Sequence, residues 1–343
     1  MMTGTGMTGT GMTVAIDTAL SVRDLWVRFA TPRGILEAVR GVSFDVKPGE
    51  VLGLVGESGS GKSVTLRALL RLHRPPTQVT GEVRWNGQNV LTLSDAKLRA
   101  VRGGQIGMIF QEPMTALNPV LTVGEQIQES LREHARLTGR AARERATELL
   151  DLVGIPAPAV RLRDYPHQFS GGMRQRAMIA IALASEPKLL LADEPTTALD
   201  VTIQDQILRL LLRLREQLGM SVILVTHDLG VVAQTCDRVA VMYAGRIVET
   251  APVVDLFRAP RHAYTLGLLR SLPEGGDRRI PLVPIRGAPP NLFDLPSGCA
   301  FSPRCDFATS ACLGVEPPLM GVAPARLSAC IHHAELPRPE ARS

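Results

Sequence analysis

Residues Gly56-Glu57-Ser58-Gly59-Ser60-Gly61-Lys62-Ser63 match the phosphate-loop pattern G-x-x-x-x-G-K-[ST] at every fixed position. Glycines let successive backbone N–H groups turn inward on a phosphate, and the helix that follows adds the partial positive charge of its N-terminus. Lys62 is then placed to reach the β- and γ-phosphates of a nucleotide, and the Ser63 hydroxyl to ligate Mg²⁺. Farther along, Lys188 to Pro195 is an apolar run that delivers two adjacent carboxylates, Asp193 and Glu194. Paired carboxylates at a strand end beside a phosphate loop suit a metal and a general base. His227 ends another apolar run, Ser221 to Thr226. Ser170-Gly171-Gly172 stands before the helical stretch Ala177 to Ala184, an N-cap with bare N–H groups that fits either a second anion-binding terminus or simply a capped helix.

These residues need strands that end at a common edge. Glu50 to Val55 is short, apolar and β-leaning, and Val64 to Leu72 carries Leu66, Leu69, Leu70 and Leu72 at helix-like spacing, so the loop sits between a strand and a helix. Leu20 to Phe29 alternates apolar and polar residues, and Ala38 to Val46 reads as another strand ended by Lys47-Pro48-Gly49. Gly81 to Leu91 reads as a strand pair around Asn86-Gly87, and Ile106 to Phe110 as a short strand ending at Gln111. Thr122 to Gly154 turns helical and charge-rich. Val239 to Tyr243 and Arg246 to Glu249 form a hairpin across Ala244-Gly245.

The chain of 343 residues is 45% apolar and 21% charged with a net charge of +5, the composition of an ordinary globular protein. The mild basicity permits contact with nucleic acid or an anionic membrane face without requiring either. No run reaches the eighteen or more apolar residues of a membrane span, so work at a membrane requires other subunits to cross it. Met1 to Thr13 repeats Met-Thr-Gly-Thr-Gly and is expected to lack fixed structure.

Taken together, the loop at Gly56, Gln111, the Ser170 block, Asp193-Glu194, Ala198-Leu199-Asp200 and His227 resemble an ABC-type ATPase subunit over about residues 20 to 260. Phe169 to Arg176, Ala192 to Asp200, His262-Ala263-Tyr264-Thr265 and Leu268 to Pro273 look like the dipeptide/oligopeptide importer branch. Met173 stands where the signature commonly has Gln, a departure that this branch shares. The resemblance implies an α/β fold: a P-loop core with a RecA-like mixed sheet, an antiparallel β subdomain and a helical insert, followed by a C-terminal extension. The implied boundaries are a tail at 1–18, an ATPase domain at 19–262 with its helical subdomain at about 113–178, and an extension at 263–343.

It also implies roles. Gly56, Ser58, Gly59, Ser60, Gly61, Lys62, Ser63 and Val64 would hold the ATP phosphates, and Ser63 with Gln111 would ligate Mg²⁺, supported by Asp193. Glu194 would polarise the attacking water, and His227 would contact the γ-phosphate. Ser170, Gly171 and Gly172 would cap the γ-phosphate of a nucleotide held by a partner, with Asp200 at the junction and Phe29 stacked on adenine. The implied setting is the cytoplasmic face of the cell membrane, as a peripheral subunit. Its partners there would be a second ABC ATPase subunit (a heterodimer), two transmembrane permease subunits and an extracytoplasmic substrate-binding protein, with no nucleic acid. Nickel chelates or glutathione are alternative solutes. A second class, a soluble ABC ATPase acting on nucleic acid or ribosomes, would call for paired ATPase modules or a long insertion that the chain lacks.

Of five cysteines, Cys236 stands alone while Cys299, Cys305, Cys312 and Cys330 crowd the last fifth, spaced x5, x6 and x17. That is neither a zinc ribbon nor the ferredoxin run. The segments around Cys299-Ala300-Phe301-Ser302-Pro303-Arg304-Cys305 look like the tail in which some branch members carry a [4Fe-4S] cluster; zinc or free thiols are the alternatives.

Overall fold

In a computed structural model of the chain, the described residues are 18–197, 199–272 and 284–339. The Met-Thr-Gly segment and Ala198 lie outside them. Leu20–Thr31 (β1) and Gly34–Val46 (β2) pair antiparallel, Val51–Val55 (β3) follows, and Gln78–Trp85 (β4) with Gln88–Asn89 (β5) completes a four-stranded antiparallel sheet in the order β2-β1-β4-β5. Ile106–Ile109 (β6), Leu189–Asp193 (β7), Ser221–Thr226 (β8), Arg238–Tyr243 (β9), Arg246–Pro252 (β10), Met320–Ala323 (β11) and Arg326–Ser328 (β12) join β3 in an eight-stranded sheet, ordered β11-β12-β10-β9-β3-β8-β7-β6.

The five strands from β9 to β6 are parallel, which explains their unbroken apolar runs. In β8, Val222 and Leu224 enter one core while Ile223 and Val225 enter the other; in β7, Leu190 and Ala192 oppose Leu189 and Leu191. With both faces covered, a strand has no polar side, and each fully buried Leu or Ile stabilises by roughly 1.5–3 kcal/mol. One core packs helices on the sheet, and the other packs β1, β2 and β4 with the helix Lys62–Leu69.

The helical insert contains Val123–Ser130, opened by a capping box between Thr122 and Glu125, then a π-helical turn at Leu131–Ala135 and the helix Gly139–Leu152. The last of these buries Ala142, Ala146, Leu149 and Leu150 at helical spacing and leaves its charged face outward. Residues 320–328 add to the sheet: β12 pairs with β10 through Glu249↔Ser328 and Thr250↔Leu327, so this hairpin extends the core sheet. Because β3, β6, β7 and β8 run parallel, their C-terminal ends share one edge, and the residues singled out in the sequence follow those ends.

Candidate functional site

The turn after β3 is shaped by close backbone approach. An added Cβ on Gly56 (φ +150°) would lie 2.2 Å from the Met242 carbonyl oxygen, and one on Gly61 (φ +105°) would lie 2.7 Å from that of Ala38. Only glycine fits either position. Ser58 and Gly59 face solvent, Ser60 is buried, and no side chain caps the helix Lys62–Leu69, which Val64 continues, so its first N–H groups stay free for an anion. The Lys62 ammonium is buried and donates to the carbonyls of Gly56 at 2.8 Å and Glu57 at 2.9 Å. Burial pushes its pKa down, while Glu194, Asp193 and Glu57 pull it back up. A polyphosphate would replace these two carbonyls as the partner of the charge.

Asp193 ends β7 with no exposed surface. The Ser63 hydroxyl donates to its Oδ1 at 2.6 Å, its Oδ2 has no hydrogen-bond partner, and Arg67 stands 4.0 Å away. Burial raises its pKa, against the Ser63 hydrogen bond and Arg67. A hydroxyl and a buried carboxylate with a spare oxygen make a donor set that fits Mg²⁺ beside a nucleotide. Glu194 follows with φ +45°, a left-handed conformation that costs energy in a non-glycine residue, and its N–H donates to Val225 O at 3.0 Å. That turn swings its carboxylate onto three groups: Gln111 Nε2 donates to Oε2 at 3.2 Å, Thr197 Oγ1 donates at 2.8 Å, and His227 Nδ1 lies 3.4 Å away. Lys62, Ser63, Gln111, Asp193, Glu194 and His227 therefore form one connected site.

Other residues are placed differently. Ser170 caps the helix Gly171–Leu183, its Oγ accepting from Met173 N at 3.3 Å. Ser170 and Gly171 are exposed, and the turn rests on Leu199 and Ile203 of its own chain. Asp200 caps the helix Val201–Leu218, with Oδ1 accepting from Ile203 N at 2.9 Å, so a structural task already occupies its carboxylate. Phe29 is half-buried with its ring edge-on to His73, 5.5 Å between centroids. Thr197 was not singled out from the sequence; its place three residues after Glu194 was the available signal.

All five cysteines are free thiols. Cys299, Cys305, Cys312 and Cys330 line one pocket, and an added Cβ on Gly298 would meet the Cys312 carbonyl at 2.1 Å, so glycine is what lets the segments close up. Burial raises the Cys299 and Cys330 thiols and pushes Cys305 up to about 11. Yet among the described residues no group of three or more His, Cys, Asp or Glu side chains is set as a metal site. The fold gathers four thiols without closing them into a ligand sphere.

A test of the Asp193 environment follows. A raised carboxyl pKa means that the native state holds this proton more tightly, so the ionised group costs stability above its folded pKa. Asp193→Asn is expected to raise the melting temperature of the nucleotide-free protein by roughly 1–2 °C, the shift for about 1 kcal/mol in a chain of 343 residues. The gain should shrink as pH falls, and added Mg-ATP should stabilise this variant less than it stabilises the original protein. A lower melting temperature at neutral pH would refute the assigned strain.

Residues 39–197 match the ABC transporter family, and residues 248–312 match the oligopeptide/dipeptide transporter C-terminal region. The chain is 49% identical to the oligopeptide transport ATP-binding protein OppD of Bacillus subtilis, covering 95% of this chain and 92% of that protein. It is 52% identical to the dipeptide transport ATP-binding protein DppD of the same organism, over 88% and 91%. The ATP-binding cassette MJ0796, solved as a dimer in a post-hydrolysis state with ADP and Pi, superposes with a TM-score of 0.62 at 32% identity, covering 68% of this chain and 98% of that one.

Proposed function

Because the chain belongs to the ABC transporter ATP-binding proteins of the peptide-import branch, we propose that it hydrolyses ATP to drive import of dipeptides or oligopeptides through membrane permease subunits. The observation that carries the reading is the Glu194 carboxylate held among Gln111, Thr197 and His227, beside a lysine that lies in a phosphate loop. Mg²⁺, when bound with ATP, supplies charge neutralisation at the phosphates. Lys62 and the loop amides would hold the phosphates, Ser63 and Gln111 with Asp193 would hold the metal, Glu194 would orient and deprotonate the attacking water, and His227 would fix that geometry.

Ser170 and Gly171 are exposed on their own chain and Gly172 is half-buried, which supports a role in closing the site of a second ATPase subunit. Among the described residues no helix is long and apolar enough to cross a membrane. The insert following Gln111 exposes Met114, Val120, Val160 and Tyr165, apolar surface that supports docking to permease subunits at the membrane's cytoplasmic face. An extracytoplasmic binding protein would deliver the solute. Reconstitution with candidate permeases in vesicles should give ATP turnover that rises on adding peptide and binding protein; turnover indifferent to peptides but stimulated by a nickel chelate or glutathione would reassign the solute.

For the tail, Cys299, Cys305, Cys312 and Cys330 would hold a [4Fe-4S] cluster, with zinc as the other occupant; four thiols on one pocket support this reading. The protein purified without oxygen should then carry iron and acid-labile sulfide with visible absorption, lost in Cys305→Ser. Stoichiometric zinc and a colourless protein would favour the alternative.

A further inference from the structure

The Cys-bearing tail reaches the phosphate loop itself. Arg304 forms a two-pronged ion pair with Glu57, the second residue of the loop, with Nη1 donating to Oε2 at 2.6 Å and Nη2 to Oε1 at 2.9 Å. Its guanidinium is well enclosed, with the side chain 7% exposed against 24% for Glu57. Nε donates to Arg286 O at 2.8 Å, and Nη1 also reaches the Tyr243 hydroxyl at 3.4 Å. From the start of the tail, the Tyr264 hydroxyl accepts the Glu57 N–H at 2.7 Å. Glu57 is thus gripped by tail residues at both side chain and backbone, while its carbonyl accepts from Lys62 at 2.9 Å.

Glu57 is a carboxylate in a loop built to receive an anion. Unpaired, it would repel a polyphosphate across a few ångströms of poorly screened space. We propose that Arg304 sets nucleotide affinity by neutralising Glu57, so that the loop offers a net positive field only when the tail is docked. This makes Arg304 a positioning residue acting through Glu57, and it rests on the ATP-binding reading above.

The test uses full-length protein titrated with MgADP, which avoids turnover, with nucleotide-free melting curves as the control for folding. Arg304→Ala is expected to weaken MgADP binding about tenfold, and more at low salt than at high salt. Glu57→Gln keeps an acceptor for Arg304 while removing the charge, and is expected to tighten binding by about threefold. Arg304→Ala combined with Glu57→Gln should return to within about threefold of the original affinity. Unchanged binding in Arg304→Ala, or no recovery in the double variant, would overturn the proposal. Weakening by Glu57→Gln would also overturn it, since that is what a purely mechanical latch predicts. Glu57→Gln decides the question even if Arg304→Ala does not fold. If the unsubstituted protein itself failed to bind MgADP, the ATPase reading would fall, and the proposal with it.

Discussion

Glu194→Gln is expected to lower ATP turnover by roughly 10²–10⁴-fold, the range for loss of a positioned general base, while leaving Mg-ATP binding in place. The amide can still accept from Thr197 and sit beside Gln111, so the geometry around residue 194 survives. What disappears is the ability to take a proton from water. Nucleotide should therefore remain bound unhydrolysed. Single-turnover measurements on loaded protein read the chemical step directly, and a rate within a few-fold of the original would remove Glu194 from the role of base. A matching loss of binding would instead point to damage at Asp193 or Ser63.

The second large effect is expected at Gly171. Among the described residues, an added Cβ there meets only Leu199 Cδ2 at 3.6 Å, an ordinary contact, and the position opens the helix Gly171–Leu183, where a carboxylate interacts favourably with the helix dipole. Gly171→Asp should fold as well as the original and keep nucleotide binding by its own phosphate loop. In the assembled transporter, the new charge would stand where, on the proposed reading, a partner's γ-phosphate is received. Turnover is then expected to fall by roughly 10² or more, the scale of losing one donor to a developing oxyanion. Full activity in that assembly would show that this helix end never meets a nucleotide. Gly172 is less suited to the test, because its Cβ would come within 2.9 Å of Ile203 Cγ2.

Much of the site was legible because its residues lie in short motifs whose spacing is fixed by local geometry. The glycines at 56 and 61, Ser63 beside Lys62, and the carboxylates ending β7 all declare themselves within a few residues. The parallel strands were legible as apolar runs for the same reason, since both faces are buried. Contacts formed by the tertiary fold left no such trace. Nothing near Glu57 announces Arg304, 247 positions away, or the Tyr264 hydroxyl, 207 away. The resemblance assigns Phe29 to adenine stacking, and the contact its ring makes edge-on with His73 is one that no local pattern announces. The cysteine spacing identified a local cluster, yet spacing fixes neither rotamers nor occupancy, and the described side chains do not form a closed metal site. The strands β11 and β12 were also not anticipated, being short and half exposed.

The pairing of β12 with β10 bears on how the chain can be cut. Without residues 320–328, β10 would become the outer strand, offering unpaired backbone groups to any passing chain. The same cut would strip Arg326 from Glu249, a fully buried carboxylate that also accepts from the N–H groups of Arg261 and His262. A fragment ending near residue 262 would thus carry a sticky edge and a buried carboxylate without its arginine. The hairpin therefore both covers an edge of the sheet and supplies a counter-ion beneath it, so that cutting it away exposes backbone and buried charge in one stroke.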